Sequence, residues 1–396
     1  LSPRARRFAI ASFVAVAAAA AAFLVRTDKS QWDLKVYMAC ARTLAGGGDP
    51  YAIQPVVDNS RFQCLYPPLI IDMYRPLAAS SSAFGGDAGE RFWAAMKLLA
   101  LFVILWLWRE AILPKRGTGI DAWRLLFVVI AYGDPFWSDF RSGNAGSFEH
   151  VLLWGALAAF VAGRDFWFAT LLAAAVQPKL LPFAFLPLLV AKPRPNARAF
   201  LWGGALAAVF FSLNEWAHPG LTREFFRQLV DPLQAWHYER GPNNVSFVGL
   251  LQHCFETAWG DRQLAVHWAG RVNAAWTAAV VAATGLSLRR LWRAPGDETS
   301  KRRRSVLLYA AAYGLIVPRL KDYSFLLLIP STLAAIESDA PPAARLLVLA
   351  FALLNSTKAL AEKAGLGEWS LFAGYFKLYA VMGAWAILAF PRRRKA

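Results

Sequence analysis

Carboxylates, cations and amides recur at five places in this chain, each where an apolar stretch begins or ends. Asp33 stands in Trp32-Asp33-Leu34-Lys35-Val36-Tyr37. A second set runs from Asp134 through Asp139-Phe140-Arg141-Ser142-Gly143-Asn144 to Glu149-His150. Gln177-Pro178-Lys179 forms a third, Asn243-Asn244-Val245-Ser246 a fourth, and Pro318-Arg319-Leu320-Lys321-Asp322-Tyr323 a fifth. Cations and amides together suit a phosphate, and a carboxylate beside them suits a general base. The chemistry these types allow is group transfer from a lipid-linked phosphate to an acceptor hydroxyl.

Each residue also has a plainer reading. Asp33 could cap a helix starting at Leu34, since Asp is a favoured N-cap. Lys179 and Arg319 could reach toward headgroups as membrane cations do. Asn243 and Asn244 follow Gly241-Pro242 and suit a turn, and His150 could be a satisfied helix histidine. What favours a site is convergence, because capping and snorkelling do not require one face to gather them. The histidines are scattered and no His/Cys spacing suits zinc, so neither a metal nor another cofactor is expected.

The elements that must position these residues follow from composition. Of 396 residues, 57% are hydrophobic and 17% charged, whereas soluble domains sit near half and about a quarter. The excess falls in blocks of bilayer-spanning length. The pattern predicts an all-α polytopic membrane protein with about twelve transmembrane helices, near 8–25, 91–109, 122–137, 147–163, 166–177, 180–191, 198–213, 264–286, 305–317, 323–337, 342–355 and 371–390. Both termini then lie in the cytoplasm, and residues 1–396 form a single transmembrane domain. The stretch from Pro67 to Ser82 carries Asp72 and Arg75 and is expected to be a re-entrant or surface helix. The first block could instead be a cleaved signal peptide; a retained anchor is expected from its length.

The net charge of +17 is gathered into short basic clusters such as Lys301 to Arg304, the mark of cytoplasmic loops facing anionic lipid. With no basic stripe on a soluble domain, no nucleic-acid partner is expected. Segments 26–90 and 214–263 are placed outside, covering the site, and 287–304 inside. The protein is expected in the inner (plasma) membrane, facing the periplasm or exterior. Cys40 and Cys64 share the first outer segment, where a disulfide and two separate thiols both remain open. No internal repeat is visible, which weighs against many transporter architectures.

The ordered set Asp33-Leu34-Lys35-Val36-Tyr37, Asp49-Pro50-Tyr51 and Tyr66-Pro67-Pro68-Leu69 resembles glycosyltransferase family 87, the polyprenol-phosphate-mannose-dependent mannosyltransferases and their relatives. Gly143-Asn144, Gln177-Pro178-Lys179 and Asn244-Val245-Ser246 resemble later motifs of that family. The chain departs from it at Pro318 to Tyr323, where many members carry a Ser-Pro…Trp…His-His pattern, and at Gly143, which lacks the usual following glutamine.

The resemblance implies the C-type glycosyltransferase fold and a polyprenyl-monophosphate sugar donor. It also implies a glycan or glycolipid acceptor, inversion at the anomeric carbon, and Asp33 as the base. Lys179, Arg319 and Lys321 are the expected phosphate cations. Tyr66, Asp139, Arg141, Asn144, His150, Gln177, Asn244, Asp322 and Tyr323 are expected to contact substrates. The competing readings are a lipid or solute transporter, or flippase, using the same outward polar cavity, and an acyltransferase or silent scaffold.

Overall fold

The computed structural model describes residues 31–57, 60–83, 88–114, 122–230, 244–354 and 373–391, together with Ala11, Val14 and Ala18. The first expected span, 8–25, lies outside the described residues apart from those three positions, as do both chain ends.

The described residues are almost entirely helical. Helix α1 (Trp32–Ala45) leads to a two-stranded ribbon, β1 (Val56–Val57) and β2 (Ser60–Arg61), and then to the short helices α2 (Pro68–Asp72) and α3 (Arg75–Ala83). Helix α4 (Ala88–Leu107) runs on into a π-turn at Trp108–Ile112, and is followed by α5 (Ala122–Ser142), α6 (Gly146–Val161) and α7 (Asp165–Val176). After a 3-10 stretch at Leu181–Leu189 come α8 (Ala197–Ala217), α9 (Leu221–Val230), α10 (Phe247–Trp259), α11 (Arg262–Arg293) and α12 (Glu298–Ile316). A second 3-10 stretch, Asp322–Leu328, precedes α13 (Ile329–Ile336), α14 (Pro342–Leu353) and α15 (Phe376–Ala389).

The expectation of about twelve membrane-spanning helices is corrected here. Among the described residues, two helices are long and apolar enough to cross a membrane: Ala88–Ile112, with 25 residues, and Ala197–Ala217, with 21. At 1.5 Å per residue these reach roughly 37 and 31 Å, against about 30 Å of hydrocarbon. Both present apolar side chains outward, with Trp106 59% and Leu201 68% exposed. These two helices associate the chain with a membrane.

The other blocks fall short for identifiable reasons. Helices α6, α7, α14 and α15 have 12 to 16 residues and span only about 18 to 24 Å. Pro182 and Pro187 hold the block at 180–191 in a 3-10 conformation. Helix α11 has 32 residues, but His267, Arg271 and Asn273 interrupt its apolar run. Helix α12 spends its first turns on Lys301 to Arg304. With two such helices among the described residues, the alternation of twelve spans that placed both termini in the cytoplasm no longer follows.

Much of the remaining apolar sequence is protein core. Trp154, Phe160, Phe168, Phe185 and Leu328 are fully buried in one large cluster that joins α6, α7, α12, α15 and the two 3-10 stretches. A second cluster gathers α1 with α2, α3 and α9. Leu34, Tyr37, Met38, Ala41 and Leu44 point into it from one face of α1 at helical spacing. A Cys40–Cys64 disulfide, Cα–Cα 6.3 Å, closes this second cluster and resolves the open question about those thiols.

Helix α5 links the two clusters. It is kinked at Tyr132 (φ −127°, ψ 17°), just before Pro135. Pro135 has no N–H to give the Ala131 carbonyl; the Lys377 ammonium from α15 donates to that carbonyl instead. The last turns of α5, carrying Asp139, lead into the Ser142–Gly146 turn, whose Ala145 belongs to the second cluster.

Candidate active site

Helix α1 starts against the end of α5. Gln31 takes a left-handed conformation (φ 66°), and its backbone N–H donates to the Arg141 carbonyl at 2.7 Å. Its side-chain amide donates to the Phe140 carbonyl at 2.9 Å. Gly143, at φ +71°, makes this approach possible, because a Cβ there would stand 2.5 Å from Gln31 Oε1. The Trp93 indole N–H donates to the Gly143 carbonyl at 2.9 Å and fastens the turn to α4.

The pinning brings Asp33 over Asn144. The Asn144 Oδ1 accepts the Gly146 N–H at 2.8 Å, which fixes the amide's orientation and turns its NH2 outward. That NH2 donates to Asp33 Oδ2 at 2.9 Å and lies 3.1 Å from the Tyr37 hydroxyl and 3.3 Å from that of Tyr323. The Tyr37 and Tyr66 hydroxyls bond each other at 3.0 Å. Because α1 begins at Trp32, with Gln31 at the cap position and no side-chain cap bond, Asp33 is not an N-cap. The residue is half-buried and its carboxylate faces the amide.

Burial of the carboxyl pushes the Asp33 pKa above its ordinary 3.8, partly offset by the Asn144 bond and by the charges of Lys321, Lys97 and Lys179. Burial likewise holds the Tyr37, Tyr66, Tyr74 and Tyr323 hydroxyls in their protonated form. The arrangement is one half-buried carboxylate residue, a fixed amide donor, phenolic hydroxyls and several cations.

Those cations reach the site from different elements. Lys179, just after α7, pairs with Glu149 at 2.9 Å and sits 5.6 Å from the Tyr323 ring centre. Arg319 and Lys321 lie on an extended segment clamped by the residues before α10. Asn244 Oδ1 accepts the Leu320 N–H at 3.1 Å, and its amide donates to the Pro318 carbonyl at 3.2 Å. Ser246 Oγ donates to the same carbonyl at 3.0 Å, and the Val245 N–H donates to the Leu320 carbonyl at 2.7 Å. Arg319 acts by charge on the Tyr323 hydroxyl, and Lys321 on Asp33.

The other predicted residues fall into different places. Asp139 is buried and held by Lys97 at 2.9 Å and by the Ser147 hydroxyl. Arg141 is exposed and lies 5.8 Å from the Trp32 ring centre. His150 is buried with no hydrogen-bond partner at Nδ1. Gln177 turns back to the Ala173 carbonyl of its own helix at 3.2 Å. Asn244 is engaged in its clamp. Asp322 begins the second 3-10 stretch, and its side chain lies outside the described residues.

A family model described as glycosyltransferase family 87 matches residues 65–318, well over half of the chain. The chain belongs to glycosyltransferase family 87. It is a glycosyltransferase. No curated protein matches the chain. The matched stretch holds Tyr66, Asn144, Lys179 and Asn244 but neither Asp33 nor Lys321 and Tyr323. In the glycosyltransferase those outer residues are tied to the matched stretch by the Asn144 amide and the Asn244 clamp.

Two residues of this cluster escaped the sequence reading. Tyr37 sits inside the Asp33 motif, but nothing in its spacing marked its hydroxyl as reaching Asn144. Lys97 did leave a signal, a single cation inside the apolar run Ala94-Ala95-Met96-Lys97-Leu98-Leu99. An ionisable residue in such a helix is by default a functional candidate.

Proposed function

We propose that this glycosyltransferase transfers a sugar from a polyprenyl-monophosphate donor to a hydroxyl of a glycan or glycolipid, at the outer side of the plasma membrane. Mannose is the proposed sugar, on the resemblance carried by Asp33, Asp49-Pro50-Tyr51 and Tyr66-Pro67-Pro68. The observation carrying the reading is the Asp33 carboxylate, bonded by the Asn144 amide and surrounded by the charges of Lys97, Lys179 and Lys321.

The acceptor oxygen attacks the anomeric carbon from the face opposite the phosphate, so configuration inverts. Its proton passes to the Asp33 carboxylate. The bond from the anomeric carbon to the phosphate oxygen breaks, and the electron pair leaves with the polyprenyl monophosphate. Lys179, Arg319 and Lys321 stabilise the charge that grows on that leaving group. The Cys40–Cys64 disulfide beside α1 suits an oxidising compartment, which supports the outward placement.

The test uses the purified protein in liposomes with radiolabelled polyprenyl-phosphate mannose and a mixture of glycan and glycolipid acceptors. Label carried onto an acceptor, with release of unlabelled polyprenyl phosphate, is the expected result. Label crossing the bilayer with the donor intact would replace this reading with a transporter.

A further inference from the structure

Lys97 has no part in the step just described, yet it is fully buried on one of the two helices long enough to cross a membrane. Its ammonium pairs with Asp139 Oδ2 at 2.9 Å and donates to the Asp139 carbonyl at 2.5 Å and the Asn144 carbonyl at 2.8 Å. Three protons are thus committed to residue 139, in the last turn of α5, and residue 144, within the α5–α6 turn. Ser147, on the first turn of α6, donates to the same Asp139 oxygen. Asn144 sits inside this staple, with its side-chain amide on Asp33.

We propose that Lys97 and Asp139 are positioning residues whose ion pair locks the Ser142–Gly146 turn, so that the Asn144 amide presents Asp33 in the orientation that takes the acceptor proton. The proposal rests on the reading of Asp33 as the general base. Burying two charges costs desolvation that an apolar pair of similar volume avoids, so stability alone does not explain this arrangement. The pair's bonds instead converge on the turn that carries the one amide touching the carboxylate.

Lys97 also acts on Asp33 through its field. The groups facing that carboxylate are the Asn144 amide, the Tyr37, Tyr66, Tyr74 and Tyr323 hydroxyls, and the charges of Lys321, Lys97 and Lys179. Removing one of the three cations leaves the ionised carboxylate less favoured. A defect in positioning therefore carries a pH signature that a mere packing defect lacks.

The experiment measures kcat and donor KM for sugar transfer against pH, with thermal stability, for the parent and for Lys97→Met, Lys97→Arg and the double variant Lys97→Met with Asp139→Leu. Lys97→Met should lower kcat roughly tenfold to a hundredfold, the scale of a small misplacement of a reacting group. Donor KM should stay near the parent's while the acid limb moves to higher pH. Lys97→Arg should bring the limb back, and the double variant should recover thermal stability without recovering kcat.

Parental kcat and an unmoved limb in Lys97→Met overturn the proposal, as does a kcat loss with the limb unmoved. If Lys97→Met fails to fold, the double variant decides on kcat alone, because removing both charges of the pair leaves the field at Asp33 nearly unchanged; parental kcat there overturns the proposal. Asp33→Asn, assayed alongside, separates the layers. Full activity there removes the general-base reading itself, whereas an inactive Asp33→Asn beside parental Lys97 variants removes only the positioning role.

Discussion

At the scale of single residues, Asp33 has a place that its sequence neighbourhood left ambiguous between helix capping and base catalysis. The carboxylate meets a side-chain amide, with the helix starting one residue earlier. Asp33→Asn should therefore drop turnover by roughly two to four orders of magnitude, the usual share of general-base catalysis, measured as initial rate at saturating donor. It should not weaken the fold. A carboxyl with its folded pKa above the unfolded value loses stabilisation as pH rises through that interval, so at neutral pH the amide should be neutral or stabilising in thermal melts. The same shift fixes the pH profile. Because the base must be ionised, activity should fall as pH drops through a limb above the ordinary carboxylate value of 3.8. Lys179→Gln, Arg319→Gln and Lys321→Gln should each raise donor KM about tenfold or more, the loss expected for a charged phosphate contact. Unchanged KM in all three would move the phosphate elsewhere.

At the scale of elements, the site depends on how α1 is set down on the α5–α6 turn. Gly143 permits the contact through its left-handed backbone and its missing Cβ. Gly143→Ala should cost about 1–2 kcal/mol from backbone conformation alone, and pushing Gln31 away should lower kcat as well. A melt and a rate measurement on one preparation would check both; a parental rate would mean that Gln31 does not set Asp33. The disulfide holds the other end of this unit by tying α1 to the segment before Tyr66. Replacing Cys40 and Cys64 with Ser should cost about 3 kcal/mol through the freed unfolded chain, seen as a lower melting temperature under non-reducing conditions.

At the scale of the whole molecule, the second cluster, containing α1, α9 and the disulfide, is one packed body, so its parts must share a side of the membrane. Arg223 is exposed on α9 and Thr299 is exposed near the start of α12. In a Cys254→Ser background, an impermeant thiol reagent added from outside should label Arg223→Cys and spare Thr299→Cys. The reverse pattern would place Asp33 in the cytoplasm and remove the outward-facing reaction.

Composition and motif were enough to read an almost wholly helical, membrane-associated chain, and the Asp33, Asp49-Pro50-Tyr51 and Tyr66-Pro67-Pro68 set was enough to point to family 87. These properties are local: they depend on which side chains occur and in what order. Span number was not local in that sense. Apolarity records removal from water and is blind to whether lipid or protein does the removing, so Leu153, Trp154 and Phe168 read as membrane and fold as core. Only the tertiary structure decided that Asn144 faces Asp33, that Lys97 and Asp139 pair across 42 residues, and that Cys40 meets Cys64. Each is a contact between distant segments, and the first two meet at the Gly143 turn that follows the Pro135 kink. The geometry of those bends, more than the identity of the residues beyond them, determines what those residues touch.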